Sequence, residues 1–211
     1  MTSPPEAPVM RKPRRTYAGT EQRRERLLGT VAALIAAKGY EAASMRDVSE
    51  ALGVSPAGLY YHFKSKEDLL YQIQFRTFEA LLKGQEVVAA APGTAEERFR
   101  RLMHGHLAFF LSHPNELKVC TYEMESLGGD LFDAVENLRR RYYHLFSAVV
   151  MELMGDRIPP PSKSDRSRHA SLFVFGMLNW IFMWYDPARH GTVEQIGDEM
   201  IDLALNGLRP R

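Results

Sequence analysis

Between Ser44 and Lys66 the chain gathers hydrogen-bond donors, positive charge and very small side chains: Ser44, Arg46, Ser55, Ala57, Gly58, Tyr60, Tyr61, His62 and Lys66. No nucleophile is paired with a base there, and no metal-ligand spacing occurs. An arginine fork fits the two acceptors of a guanine edge. Serine and tyrosine hydroxyls, imidazole and ammonium groups suit phosphate oxygens. Ala57 and Gly58 let a backbone approach a surface closely. The chemistry on offer is recognition of a polyanion that also carries readable edges.

Those residues need short, well-anchored elements, and the flanking residues supply the signals for them. Ser44 with Asp47 three residues on reads as a capping box, with Met45, Val48 and Leu52 on the buried face and Gly53 as the stop. Ser55 followed by Pro56 opens a second short helix, anchored by Leu59 and Phe63. Ser65 and Asp68 open a third, long helix running toward Pro92. An amphipathic run through Leu27, Val31, Leu34 and Ile35, ended by Gly39, precedes all three. Two short capped helices around a glycine turn, packed on an earlier helix, have the layout of a helix-turn-helix. The second is too short to be stable alone, and it is of a size to enter a major groove about 12 Å wide.

Residues 53–69, GVSPAGLYYHFKSKEDL, resemble the signature of the TetR family of bacterial regulators, and Gly39-Tyr40 and Ser44-Met45-Arg46-Asp47-Val48 fit it in spacing and type. Ser49 departs from the alanine usual there, by one hydroxyl. The resemblance implies a phosphate contact for Ser44 at a helix N-terminus and a base-edge contact for Arg46. It places Ala57 and Gly58 against bases, and Tyr60, Tyr61, His62 and Lys66 on the backbone, with Tyr61 also reaching bases. Other readings stay open at this point: Tyr60 as core, His62 as a solvated or capping residue. Lys66 opposes the dipole of the helix it begins, a conflict that a bound phosphate would relieve.

The second half carries only helical patterns, giving about nine helices overall and no strand: an all-α fold with an N-terminal three-helix DNA-binding unit and a larger helical sensing and dimerisation domain. The pattern predicts helices over residues 115–127, 130–154, 165–185 and 193–208, with a proline-rich loop from Ile158 to Ser164. The stretch Leu172 to Tyr185 is apolar on nearly every face, as suits a helix that packs on its own core and on a second subunit; burial inside a monomer is the alternative. The family resemblance implies a ligand cavity here, with the last two helices forming a four-helix bundle in a homodimer. Polar groups on otherwise apolar helices are the candidates for ligand contact: His106, Tyr122, Glu123, Glu125, Asn179 and Trp180. Arg139, Arg140 and Arg141 read as a solvated face or as a phosphate grip. His113-Pro114, Glu123, Glu125, Asn179-Trp180-Ile181, Trp184-Tyr185 and Gly191 are loosely similar to the TetR subgroup that senses acyl-CoA thioesters. That resemblance implies a bulky apolar effector.

Charge and composition bound the alternatives. Residues 1–40 carry eight Lys/Arg against three Glu, although the whole chain of 211 residues has a net charge of only +1. A basic end on a near-neutral protein points to an acidic polymer at that end. Residues 1–18 read as a disordered basic arm, 19–66 as the DNA-binding domain and 67–211 as the sensing and dimerisation domain. One cysteine, Cys120, excludes an intramolecular disulfide and fits a reducing cytoplasm. The longest apolar run is too short to span a bilayer. No phosphate loop, dinucleotide fingerprint or hydrolase elbow is present, and nothing calls for a cofactor or metal. His104 and His106 point about 200° apart on a helix, which does not suit a shared metal. The expected function is therefore a ligand-responsive regulator, most naturally a repressor, bound as a dimer to palindromic operator DNA.

Overall fold

Each helix boundary has a local cause. In the computed structural model, which describes residues 17–155 and 166–208, α1 (Tyr17–Lys38) ends where Gly39 takes φ +84° and its amide donates to the Ile35 carbonyl at 2.8 Å. Only glycine adopts that left-handed turn at little cost. α2 (Met45–Leu52) begins with the expected reciprocal cap: Ser44 Oγ accepts from the Asp47 amide at 3.1 Å, and the Ser44 amide donates to Asp47 Oδ2 at 2.7 Å. α3 (Pro56–His62) starts at Ser55, whose Oγ accepts from the Gly58 amide at 3.1 Å. α4 (Lys66–Ala90) is capped by Ser65, but Asp68 takes its return bond from Lys64, one residue ahead of the cap.

The remaining helices are α5 (Ala95–Ser112), α6 (Pro114–Tyr122), α7 (Gly129–Leu153), α8 (Arg166–Asn179), α9 (Pro187–His190) and α10 (Val193–Leu208). Among the described residues there is no strand, as the sequence pattern predicts. Two differences from that pattern have physical reasons. α6 stops at Tyr122 and tightens into a 3-10 turn over Met124–Ser126, because Glu123 is drawn toward distant partners described below. The run expected over 165–185 breaks after Asn179 into a second 3-10 turn, Ile181–Met183. There the fully buried Ile181 drops into the core, ahead of Pro187, which lacks an amide hydrogen. The extra one-turn helix α9 follows. The basic arm up to residue 16 and the proline-rich loop lie outside the described residues.

Two cores meet along α4. One joins Leu28, Val31, Ile35, Val48, Leu59 and Phe63 from the first three helices with Leu69, Leu70 and Ile73 of α4. It also takes Val119, Leu127 and Val135 from the second half, so the two halves share apolar packing. The other core lies among α4, α5, α7, α8 and α10, around Phe99, Leu102, Met103, Phe146 and Leu178. Gly105 is needed where α4 and α5 approach: a Cβ there would stand 2.9 Å from the buried Gln85 amide nitrogen, which donates to the Leu102 carbonyl. A long helix serving both cores is the mechanical link between them.

Candidate nucleic-acid interface and ligand cavity

α3 is seven residues long, and it is fixed by its inner face alone. Leu59 and Phe63 are buried, while Ser55, Ala57, Tyr60, Tyr61 and His62 are exposed. Tyr61 is 85% exposed and Tyr60 55%, so Tyr60 is not core. The rings of Tyr61 and His62 meet edge to face at 5.2 Å. A Cβ on Gly58 would come within 3.2 Å of Ser55 Oγ, the cap of this helix, so glycine keeps the cap unstrained. Arg46, on the neighbouring α2, is held in the exposed ion pair Arg46 Nε to Glu50 Oε1 at 2.9 Å. A pair this exposed gives up its partner readily. Ser49 is buried, and its hydroxyl donates to the Arg46 carbonyl at 2.9 Å, so the departure from alanine leaves no unsatisfied group.

Ser44 and Lys66 are already engaged within the chain. Lys38, then the hydroxyl and amide of Ser44, hold the Asp47 carboxyl well below the usual carboxylate range. Asp47 thereby secures the start of α2. The Lys66 ammonium lies 4.2 Å from the centroid of the Tyr40 ring and donates to the carbonyls of Tyr40 at 3.0 Å and Glu41 at 3.4 Å. An ammonium has three donors, so one N–H remains for an external oxygen.

In the second half a cavity of about 300 Å³ opens between α4, α5, α6, α7 and α8, walled largely by Phe78, Leu81, Phe110, Leu117, Leu172 and Phe175. Of the six ligand candidates, it brings together His106 and Asn179. Tyr122 is half-exposed, its hydroxyl against Met183 Sδ at 3.1 Å. Trp180 lies in an apolar groove between α8 and α10, and Glu125 is exposed. Glu123 is at the junction of the two halves. Its Oε1 accepts from the Tyr40 amide at 3.1 Å, its Oε2 from Ser126 at 3.0 Å, and its carbonyl from the buried Gln74 at 2.8 Å. The sequence reading missed Tyr142, the polar partner of His106 inside the cavity, and did not single out Arg139 from its neighbours. The three arginines diverge: Arg139 lines the cavity and pairs with Glu136 at 3.1 Å, Arg141 reaches Glu86 on α4 at 2.9 Å, and Arg140 is exposed.

His106 is buried, with Nδ1 at 2.9 Å from the Tyr142 hydroxyl. Burial pushes its pKa down to about 3 from 6.5, opposed by the adjacent Asn179 side chain. Burial likewise raises Tyr142 and pushes the Cys120 thiol up to about 12, so these groups are neutral near pH 7. The unfolded chain binds a proton at His106 between about pH 6.5 and 3 that the folded chain refuses. Stability should therefore fall as pH drops through that window, at up to about 1.4 kcal/mol per pH unit. His106→Gln should flatten the slope of urea-derived stability between pH 7 and 4. An unchanged slope would contradict a buried neutral ring.

The segment α8–α10 leaves one face uncovered. Val174, Leu178 and Ile181 are buried, whereas Leu172, Phe173, Trp180, Met183, Trp184 and Leu203 are exposed. This matches the expectation of a helix serving its own core and a second surface: among the described residues, the chain does not cover that face itself. No helix among the described residues is long and apolar enough to cross a membrane.

A capped two-helix unit presenting an exposed aromatic edge, tied by one long helix to a cavity-bearing helical half, defines a helix-turn-helix regulator. Residues 27–73 match the family described as bacterial regulatory proteins, tetR family, and residues 92–208 match the tetracyclin repressor-like C-terminal domain. The HTH-type transcriptional repressor KstR2 of Mycolicibacterium smegmatis is 27% identical over 192 residues, covering 88% of this chain and 90% of its own. Among solved structures, the TetR-family regulator PfmR of Thermus thermophilus superposes with a TM-score of 0.75 at 29% identity, covering 88% of this chain and 100% of its own. AibR, solved with isovaleryl coenzyme A and operator DNA, superposes at 0.74 with 24% identity, covering 86% and 97%. The chain belongs to the TetR family of bacterial transcriptional regulators.

Proposed function

We propose that the protein is a dimeric repressor that holds palindromic operator DNA through α3 and releases it when an acyl-CoA thioester fills the cavity of its second half. The observation that carries this reading is the pairing of an exposed α3, anchored through its inner face, with an aromatic-walled cavity linked to it by α4. The names of KstR2, a repressor, and of AibR with its acyl-CoA and DNA agree with it. Dimerisation through the uncovered α8–α10 face would set two α3 helices at two half-sites, about 34–36 Å apart or a multiple of that.

The route from cavity to DNA runs through one short segment. Thr121 and Met124 line the cavity, and Glu123 between them grips the Tyr40 amide and, through its carbonyl, Gln74 of α4. A ligand that displaces this segment shifts α1 and α4 together, and with them the separation of the recognition helices. An effector preferring the arrangement that cannot span both half-sites by about 1.4 kcal/mol moves the equilibrium tenfold.

The DNA assignments are tested on an operator selected from random duplexes. Arg46→Ala should flatten preference at one base pair per half-site, by about tenfold or more. Lys66→Ala should weaken binding to all sequences alike and lower the salt slope by about one, as loss of a phosphate contact does. Melting curves of each variant separate this from the loss of Lys66's bonds to Tyr40 and Glu41. A changed base preference in Lys66→Ala, or an intact profile in Arg46→Ala, would reverse these roles.

A further inference from the structure

The cavity has one feature that a purely apolar ligand would leave unused. His106 is 1% exposed, lines the void, and its Nε2 has no hydrogen-bond partner among the described residues. Leaving such a group unpaired is destabilising. Asn179 stands close enough to steady a proton on the ring, but its geometry falls short of a hydrogen bond to Nε2.

Counting donors fixes which nitrogen carries the proton. The Tyr142 hydroxyl has one hydrogen and a neutral imidazole has one more. If Nδ1 held the ring proton and donated to Tyr142, the phenol hydrogen and the Nε2 lone pair would both go unused. If the phenol donates to Nδ1 at the observed 2.9 Å, a single unsatisfied group remains, the buried Nε2–H donor of a residue that lines the void. The second arrangement leaves one buried group unpaired instead of two.

The cavity's lining is unevenly exposed. His106, Phe110, Leu81 and Tyr142 in its lining are buried, whereas Leu172 is 47% exposed and the Arg139 side chain 27%. Arg139 lines the same void, its charge paired with Glu136 and its guanidinium over the Phe78 ring. At about 300 Å³, the void is about twice an engineered cavity that admits benzene. It holds a compact apolar body but not a whole coenzyme A, whose anionic part must remain outside.

From this geometry we infer that the effector carries a carbonyl oxygen that accepts a hydrogen bond from His106 Nε2 inside the cavity, with Tyr142 as the positioning residue. The inference rests on the acyl-thioester reading for its preferred ligand and sharpens it: the buried part of the effector is oxygenated. The oxygen belongs either to an oxo group on the acyl body or to the thioester itself.

Matched ligands tell these apart in calorimetric titrations of the full-length protein. Octanoyl-CoA, 7-oxo-octanoyl-CoA and the carbonyl-free S-octyl-CoA serve as probes. An oxo group at His106 makes the oxo ester bind about tenfold tighter than octanoyl-CoA, the size of one well-made buried hydrogen bond. A thioester carbonyl there makes both esters bind alike and S-octyl-CoA about tenfold weaker. In either case His106→Phe removes the difference, His106→Gln, which keeps an N–H donor, retains part of it, and the ¹⁵N spectrum shows the Nε2 proton moving on ligand addition. Equal binding of all three ligands to the wild type overturns the inference.

Should no coenzyme A derivative bind, the thioester reading fails on its own, and acetophenone against ethylbenzene tests the oxygen site directly. Preference for the ketone, lost in His106→Phe, sustains the inference; equal affinity overturns it. If His106→Phe does not fold, Tyr142→Phe replaces it. That change frees the tautomer, so the ¹⁵N shifts of His106 should move and the ketone preference should shrink. Unchanged shifts and preference would also overturn the inference.

Discussion

Phe173→Asp combined with Leu203→Asp is expected to yield a monomer and to weaken operator binding by about a hundredfold or more. Phe173 on α8 is 73% exposed and Leu203 on α10 is 67% exposed, with Trp180, Trp184 and Met200 beside them in one groove. Soluble monomers seldom leave so continuous an apolar strip in water, and a closed two-fold interface is the usual way to cover it. Two carboxylates at its centre would each have to be desolvated without a partner. The DNA consequence follows from linkage: in the dimer, binding of one half-site presents the second at high local concentration, an advantage of about 10²–10⁴ that a monomer forfeits. Light scattering and gel shifts read the two effects separately. A persistent dimer, or a monomer that binds the full operator undiminished, would refute the α8–α10 interface.

The second large effect separates the support of α3 from its reading face. Phe63→Ala should destabilise the N-terminal unit by about 3–5 kcal/mol, since it empties a site among the largest fully buried side chains. Phe63 also closes α3, its amide donating to the Leu59 carbonyl at 2.9 Å. A seven-residue helix does not persist without such anchoring, so DNA binding should fail along with stability. Tyr61→Ala, two residues away but 85% exposed, should leave the melting temperature nearly unchanged while weakening DNA binding. Equal thermal cost in both variants, or full operator affinity in Tyr61→Ala, would contradict the division of α3 into an inner and an outer face.

The helix-turn-helix was legible because its determinants are local. Ser44 and Asp47, Gly53, Ser55 with Pro56, and the spacing of Leu59 and Phe63 all act within one or two turns, and each performs the expected task. The sensing half was legible in its helices and its apolar excess, but less so in its sites. Glu123 lies on the same stretch as the candidates Tyr122 and Glu125, yet its carboxylate is taken by the amide of Tyr40, 83 residues away. No periodicity reveals such a partner. Asn179 and Trp180 are adjacent, but one faces the cavity and the other the outer groove, because the chain turns there to bury Ile181. Tyr142 was hidden in Arg139-Arg140-Arg141-Tyr142-Tyr143, which reads as a solvated surface. A residue three positions after Arg139 shares its helix face, and that spacing was the available clue.

The most direct measurement of the whole account is fluorescence anisotropy of the full-length dimer on its selected operator, titrated with acyl-CoA thioesters of increasing size, with free coenzyme A and free fatty acids as controls. Release should occur with thioesters at concentrations that leave the complex intact in free coenzyme A. It should be lost when the cavity is filled by Leu81→Trp in a protein that still binds DNA. DNA binding that no thioester or other bulky apolar compound relieves would contradict the central claim that the second half is an effector-operated release for α3.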